Sequence, residues 1–232
     1  MLTVSCDTST KFLNIVISNN TGVIASARRE SRFDQAQTIF PLMQQMLTDC
    51  RLTPSDINAF AVGIGPGSFT GVRVGVVTFK AMAFSLDKPL AGIISLDLIA
   101  RVAKDTGKLI CVIVDAKKDN IYAALYCRRH DQIMKIKGYF LGKITDWLDN
   151  IKGEVVFTGD GLFQYQSMIK KQKKIKPYFL HEEYWYPNTA ALYELAKESF
   201  DKKQNQDAAR VLPFYLYPDD CTVSYKKTDN RP

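Results

Sequence analysis

Two aspartates that end apolar strands are the residues best suited to chemistry in this sequence. Asp7 follows the alternating segment 2–6, and Asp115 follows the apolar segment 110–114. A polar turn and a second apolar strand come after each aspartate. If the two halves of the chain fold alike, these carboxylates face each other across a cleft and could hold a hydrated Mg²⁺. The alternative, which we favour, is an Asx-turn in which each carboxylate accepts hydrogen bonds from its own hairpin.

A glycine-rich segment lies between a predicted strand and a predicted helix. Residues 65–71 read Gly-Pro-Gly-Ser-Phe-Thr-Gly, after an apolar strand at 59–64 and before an apolar helix that reaches about Leu86. Glycines let a ligand approach the backbone, and the amides at a helix N-terminus attract anions. The spacing matches neither a Walker A loop nor the Gly-x-Gly-x-x-Gly motif of dinucleotide-binding proteins. It therefore favours a tight structural turn over a ligand cradle, and it excludes neither.

Composition excludes several other kinds of site. The chain has two histidines, His130 and His181, and neither lies in a His-Glu-x-x-His motif or beside a candidate nucleophile. Its five cysteines are widely spaced without a Cys-x-x-Cys pair, which is typical of reduced thiols rather than of disulfides or zinc ligands. No stretch approaches the roughly 20 apolar residues that span a membrane, and the N-terminus lacks the basic start of a signal peptide. We therefore expect a cytoplasmic protein without metal, cofactor or membrane contact.

The elements that must position these residues alternate between strands and helices. Strand, aspartate, polar turn and return strand occur in both halves, which predicts an α/β fold built from a duplicated unit. Side chains that can cap helices stand at Asp34, Ser95 and Asn188. We expect an N-terminal subdomain at 1–105, a C-terminal subdomain at 106–217 and a polar tail at 218–232.

The chain is basic, with 31 lysines and arginines against 24 aspartates and glutamates and a net charge of +7. Five of the lysines form one run: Lys170, Lys171, Lys173, Lys174 and Lys176. Such a run can attract RNA phosphates. It lacks a recognisable base-stacking module, however, and lysine runs are more often solvated faces. The run therefore favours a solvated face over direct contact with RNA.

Several motifs, in order along nearly the whole chain, resemble those of one family. The segment 65–75, Gly-Pro-Gly-Ser-Phe-Thr-Gly-Val-Arg-Val-Gly, resembles the signature of the TsaB (YeaZ-type) proteins. Four further segments are similar to the family's N-terminal turn, next helix start, second-domain turn and C-terminal Pro-x-Tyr-Leu motif: 6–10, 95–100, 115–117 and 213–216. The sequence departs from the family at Gln35-Ala36-Gln37, where His-Ser-Glu is frequent, and at Tyr217, where the family closes on arginine.

This resemblance implies a fold and a role. The fold is the actin/Hsp70-like (ASKHA) fold, with two RNase-H-like halves. The role is that of a non-catalytic scaffold for TsaD, the related subunit that transfers a threonylcarbamoyl group to the adenosine beside the anticodon of tRNA. A TsaE-like ATPase and tRNA would be reached through that complex, and a homodimer is possible. The alternative is an ATPase or small-molecule kinase of the same fold.

Two observations favour the non-catalytic role. The paired metal-binding histidines of TsaD are absent, and no glycine follows Gly161 to build an adenosine cradle in the second half. We therefore expect no catalytic residue. We expect a vestigial ligand site or structural loop at Asp7, Thr8, Ser9, Gly65, Gly67, Ser68, Gly71, Arg73 and Asp115.

A partner surface is predicted on the helices at 34–50 and 69–86. These helices carry more apolar residues than one buried face needs, and soluble proteins rarely leave such a surplus exposed. Two such helices side by side supply half of a four-helix bundle. The alternative is that all these side chains belong to the core. The expected interface residues are Ile39, Phe40, Met43, Met46, Leu47, Val76, Phe79 and Lys80.

Overall fold

The structure is a computed structural model, and it describes residues 1–31, 34–103, 107–129, 132–204 and 207–216. The predictions made for His130, Tyr217 and the polar tail lie outside the described residues. The first half contains β1 (Thr3–Asp7), β2 (Phe12–Asn19), β3 (Gly22–Glu30), α1 (Gln35–Asp49), β4 (Ala59–Gly65), α2 (Phe69–Ser85), β5 (Leu90–Ile94) and α3 (Ser95–Val102). The second half contains β6 (Leu109–Lys117), β7 (Asn120–Arg129), β8 (Gln132–Gly142), α4 (Ile144–Leu148), β9 (Gly153–Thr158), α5 (Leu162–Lys170), β10 (Ile175–Phe179) and α6 (Thr189–Asp201).

The strands form two five-stranded sheets of the same topology. The first sheet has the order β3-β2-β1-β4-β5, and the second has the order β8-β7-β6-β9-β10. In each sheet the first three strands along the chain are antiparallel, whereas the fourth and fifth run parallel to the first. This is the RNase-H-like arrangement, and it occurs twice. The predicted duplicated α/β fold is therefore confirmed.

The central strands β1 and β6 owe their near-continuous apolar character to burial on both faces. Every residue of β1 is buried, and so are five consecutive residues of β6. Helices α1 and α2 cover one face of the first sheet, where Ile39 and Phe79 have no exposed surface. Helix α3 lies between the two sheets and contributes buried side chains to the cores on both sides of it.

The last helix crosses back to the first sheet. Leu192 and Ala196 of α6 pack against Val16 and Ala61, on the face opposite α1 and α2. Farther along the chain, Val211 joins the core beneath α1 and α2. The expected boundary at 105–106 lies outside the described residues and stays a prediction. Within the described residues, the first sheet also packs against the C-terminal part of the chain. Local sequence patterns cannot reveal this arrangement, because it depends on which sheet the apolar face of α6 meets.

The three predicted helix caps differ in outcome. The Asn188 side chain accepts a hydrogen bond from the Ala191 amide and caps α6 as expected. Asp34 is the N-cap residue of α1 but makes no side-chain capping bond, and its carboxylate accepts a hydrogen bond from the Ser31 hydroxyl. Ser95 is the first residue of α3 rather than its cap. Within the described residues, no helix is both long and apolar enough to cross a bilayer.

Candidate functional site

The Asp7 carboxylate lies at the end of β1 and has no exposed surface. Its Oδ1 accepts hydrogen bonds from the Ser9 amide at 3.3 Å and from the Ser9 hydroxyl at 3.0 Å. Its Oδ2 accepts one from the Ser95 hydroxyl at 3.2 Å. The Ser95 oxygen in turn accepts a hydrogen bond from the Gly65 amide at 3.2 Å. The carboxylate is thus the centre of an Asx-type turn that also ties β4 and α3 to β1.

This burial changes the acidity of Asp7. Desolvation raises its pKa to about 6, although the hydrogen bonds from Ser9 and Ser95 lower it in part. Gly63 closes the site from the side of β4, because a Cβ at this position would overlap Asp7 Oδ2. A buried carboxylate without a cation must therefore satisfy its oxygens from these neutral donors.

The glycine-rich segment is packed directly onto the β1–β2 turn. A Cβ on Gly67 would overlap the Ser9 carbonyl oxygen, and a Cβ on Gly71 would overlap that of Thr8. The Ser9 carbonyl accepts a hydrogen bond from the Ser68 amide at 2.7 Å, and the Thr8 hydroxyl donates to the Gly71 carbonyl at 2.7 Å. The absence of a Cβ at these glycines allows the two backbones to touch, so the glycine-rich segment packs on the protein's own turn.

The start of α2 is also hydrogen-bonded internally. The Ser68 hydroxyl accepts a hydrogen bond from the Gly71 amide at 3.2 Å and caps the helix. Gly65 has a φ of +96°, a backbone conformation that residues other than glycine rarely adopt. The Gly75 position, one turn farther along α2, would overlap the Thr8 hydroxyl if it carried a Cβ. These contacts are those of a tightly packed turn, and the structural role of the segment stays a prediction.

The corresponding turn in the second half is more open. Asp115 Oδ1 accepts a hydrogen bond from the Lys117 amide at 2.8 Å, and Oδ2 pairs with the Lys117 ammonium at 2.6 Å. The Asp115 amide donates to Asp160 Oδ1 at 3.1 Å. Burial raises the pKa of Asp160, and the charge of Asp115 adds to this effect. The hydrogen bond with Asp115 raises the pKa of Lys117.

Glycines make a close contact in this half too. A Cβ on Gly159 would overlap the carbonyl oxygen of Ile113 in β6, and Gly159 has a φ of +105°. The loop between β9 and α5 therefore packs on β6 itself, whereas the loop between β4 and α2 packs on the turn after β1. Within the described residues, no group of three or more histidine, cysteine or acidic side chains is arranged to hold a metal ion. The residues at Asp7 do not fit a nucleotide–metal complex, because the carboxylate is sealed from solvent.

Two basic residues of α2 hold the C-terminal segment against the first subdomain. The Arg73 guanidinium lies 3.8 Å from the ring centroid of Phe69, and its Nε donates to the Tyr215 hydroxyl at 2.8 Å. The Lys80 ammonium donates to the carbonyl oxygens of Ala209 and Val211 at 2.7 and 3.0 Å. Lys80, which was expected at the partner surface, is therefore used to fix the chain's own C-terminal segment. Arg73, which was expected in a vestigial ligand site or structural loop, contacts the same C-terminal segment through Tyr215.

The outer face of α1 and α2 exposes three large apolar side chains, with polar side chains beside them on α1. Phe40 is 54% exposed, Val77 64% and Phe84 75%. Val77 and Phe84 lie two helical turns apart on one stripe of α2, and α1 packs alongside α2. Most of the predicted interface residues are instead buried in the first subdomain: Ile39, Met43, Met46, Leu47, Val76 and Phe79. Phe40 is the predicted apolar residue that remains outside.

Comparisons with known proteins connect this fold to a family. Residues 29–220 match the family model described as TsaD: tRNA N6-adenosine threonylcarbamoyltransferase. The tRNA threonylcarbamoyladenosine biosynthesis protein TsaB of Escherichia coli (strain K12) is 33% identical over 222 residues, which cover 93% of this chain and 94% of that protein. The chain belongs to the TsaB family. The TsaB protein of Bacillus subtilis (strain 168) is 29% identical over 219 residues, with the same coverage of both chains.

A solved structure shares the fold of this TsaB-family chain. YeaZ from Pseudomonas aeruginosa superposes with a TM-score of 0.81 at 22% sequence identity, covering 93% of this chain and 99% of that one. The family resemblance expected from the segment 65–75 is therefore confirmed. The names of the relatives assign those proteins to the biosynthesis of threonylcarbamoyladenosine in tRNA.

Most of the residues that were expected in a vestigial ligand site or structural loop lie close together in this TsaB-family chain, and further residues join them. Asp7, Thr8, Ser9, Gly67 and Gly71 meet at one turn. Asp115 lies at the equivalent turn of the other sheet.

Sequence reasoning missed Ser95 and Gly63 at the first turn and Asp160 at the second. A signal was available for Asp160, since the Gly159-Asp160-Gly161 turn follows a strand that runs parallel to β6. Ser95 was expected to cap a helix, because serine is frequent at that position, and its contact with Asp7 was therefore not predicted.

Proposed function

We propose that this chain is a non-catalytic subunit for the synthesis of threonylcarbamoyladenosine in tRNA and that it scaffolds a TsaD-like transferase. The observation that carries the proposal is the packing of α2 onto the β1–β2 turn. The turn and its glycines occupy the space beside Asp7, and Ser9 and Ser95 satisfy the carboxylate. A carboxylate enclosed in this way has no route to a substrate or to a metal-bound phosphate.

The outer face of α1 and α2 supports the second part of the proposal. Phe40, Val77 and Phe84 are large apolar side chains exposed on neighbouring helices. A face of this kind buries well against two helices of a partner, as in a four-helix bundle. We propose that a TsaD-like subunit covers it, and that a second copy of this chain covers it when that subunit is missing. A TsaE-like ATPase would join through the complex, in the cytoplasm.

The partner surface is tested by a double substitution, Phe40→Asp with Val77→Asp. We expect the affinity for the TsaD-family subunit of the same organism, measured by titration calorimetry, to fall by at least roughly a hundredfold, since each buried anchor contributes about 2 kcal/mol or more. The fold should survive, because both side chains face outwards. Ile136→Asp is the matched control, since Ile136 is similarly exposed on β8. Unchanged affinity of the double variant would refute this surface.

A further substitution separates surface from core. Met43→Asp should unfold the free subunit, since Met43 is 4% exposed and lies in the core under α1. Circular dichroism during heating measures the unfolding of this variant and of the double variant at Phe40 and Val77.

The non-catalytic part is tested by ATP turnover of the purified chain, where we expect none above background. Turnover that Asp7→Asn abolishes would instead favour the alternative function, an ATPase or small-molecule kinase.

A further inference from the structure

One edge of the second sheet carries a lysine before each of three neighbouring parallel strands. Lys108 precedes β6, Lys152 precedes β9 and Lys174 precedes β10. Ile175 pairs with Gly153, which sets Lys174 beside Lys152. Adjacent strands lie about 4.8 Å apart, so the row extends over roughly 10 Å. In the sequence these three lysines are far apart, and the parallel topology brings them to one edge.

Neighbouring elements add further cations to this edge. Helix α5 ends at Lys170, immediately before β10 begins, and β7 runs antiparallel to β6 and ends at Arg129. We call the whole set the basic rim: Lys108, Arg129, Lys152, Lys170, Lys171, Lys173 and Lys174. All of these side chains except the half-buried Lys108 are exposed.

The basic rim is only weakly neutralised by acids. Glu154 lies 3.7 Å from the Lys108 ammonium and 2.6 Å from that of Lys176. Asp149 lies at the end of α4, shortly before Lys152 in the sequence. Across the described parts of the chain, no carboxylate comes within 4.0 Å of the ammonium groups of four rim lysines: Lys152, Lys171, Lys173 and Lys174. Mutual repulsion among these cations is relieved when an anion binds.

An aromatic side chain stands next to the rim. Tyr178 is 36% exposed, and its ring centroid lies 4.9 Å from the Lys108 ammonium and 5.7 Å from that of Lys176. Exposed aromatic rings flanked by cations stack unpaired bases. At the opposite edge of the same sheet Asp115 and Asp160 lie beside Lys117, so the excess of cations that attracts a polyanion lies at the rim.

We propose that the basic rim binds the phosphate backbone of RNA directly, with Tyr178 beside it as a stacking surface. This differs from the solvated face that the lysine run alone suggests, because Lys108, Lys152 and Arg129 reach the same edge only in the folded chain. That the RNA is tRNA rests on the proposed function. The rim lies on the second sheet, whereas the apolar face of α1 and α2 lies on the first, so one chain has a separate surface for each partner.

The test replaces Lys152, Lys171, Lys173 and Lys174 by serine and measures binding of a labelled, unmodified tRNA transcript by fluorescence anisotropy at several KCl concentrations. Each lost phosphate contact lowers the slope of log affinity against log salt by about 0.7 to 0.9, so the four substitutions should lower it by about 3. Raising KCl from about 50 to about 200 mM should then weaken the wild-type chain roughly 60-fold more than the variant. The matched control replaces four exposed lysines elsewhere, Lys143, Lys197, Lys202 and Lys203, and has the same net charge.

Three results would overturn the proposal. The wild-type chain could fail to bind tRNA at about 50 mM KCl, where phosphate contacts are strongest. The rim variant could bind tRNA as the control does, or it could keep tRNA binding and lose the TsaD-family subunit, which would make the rim a protein interface. Calorimetry with that subunit is run in parallel. If the wild-type chain binds the TsaD-family subunit but not tRNA, only the proposal for the basic rim is refuted. If it binds tRNA but not the subunit, only the scaffold proposal is refuted.

Discussion

The two strand–aspartate turns have the same topology but opposite environments. Asp7 accepts hydrogen bonds from neutral donors of two elements, the β1–β2 turn and α3, whereas Asp115 is partly exposed and pairs with Lys117 of its own strand. Glycines touch backbone carbonyl groups in both halves, but Gly67 and Gly71 meet the first turn itself, whereas Gly159 meets Ile113 of β6. A close contact between a glycine and a carbonyl group is thus common to both halves. The charge at the centre differs, and so does what each carboxylate does for the protein.

The largest expected effect comes from breaking the close contacts that glycines make with backbone carbonyl groups in each half. Gly67→Val should lower the free energy of unfolding by about 3 kcal/mol or more, since its Cβ would overlap the Ser9 carbonyl, which is backbone and cannot move aside cheaply. Gly159→Val should be at least as harmful, because φ is also positive there. Urea denaturation followed by circular dichroism measures both.

Gly138→Ala is the control for these variants, because nothing lies within 4 Å of the Cβ position at Gly138. A Gly67→Val protein as stable as the wild type would show that the first turn is not held by this packing.

The second prediction uses the buried charge of Asp7. Its pKa is about 6 in the folded chain and about 3.8 when exposed, so the folded state holds the proton more tightly. The contribution of Asp7 to stability is therefore fully present below about pH 4 and is lost as the pH rises through 6. Asp7→Asn removes this loss. The variant should be more stable than the wild type at pH 7 by up to about 3 kcal/mol, and the difference should vanish near pH 4.

Denaturation curves for both proteins at several pH values measure that difference, and Asp115→Asn serves as the comparison from the second half. The free energies of unfolding of the Asp7→Asn variant and the wild type could differ by the same amount at every pH. This result would show that the carboxylate of Asp7 is charged at no energetic cost.

The smallest effect is expected at the exposed pair of the second turn. Lys117→Ala should change the free energy of unfolding by less than about 1 kcal/mol, since the Lys117 side chain is 82% exposed and water screens the pair. The backbone amide at position 117 still donates to Asp115 after the substitution. Thermal unfolding at low and high salt measures the change, and a loss of stability well above about 1 kcal/mol would contradict the assignment of this pair as a screened surface contact.

Much of this contrast was visible in the sequence, and the rest depends on contacts between distant residues. Strand alternation before Asp7 and the apolar run before Asp115 predicted both turns, because these patterns are local. The hydrogen bonds from Ser95 to the Asp7 carboxylate and from the Asp115 amide to Asp160 were missed, because Ser95 and Asp160 come from other elements. Likewise, a count of apolar residues on α1 predicts that some of them are exposed, but it does not predict which ones. In the structure Phe40 is exposed, whereas Met43 lies in the core.

The return of α6 to the first sheet has a consequence for how the chain is made. The face of that sheet formed by Val16, Ala61 and Ala91 is completed by Ala191 and Leu192. A ribosome adds about 5 to 20 residues per second, so roughly 5 to 20 seconds separate the emergence of α3 from that of α6. During this interval the apolar face lacks the side chains of α6 that cover it in the folded chain. The half of the protein that is synthesised first therefore becomes stable last, after the second sheet has had time to form.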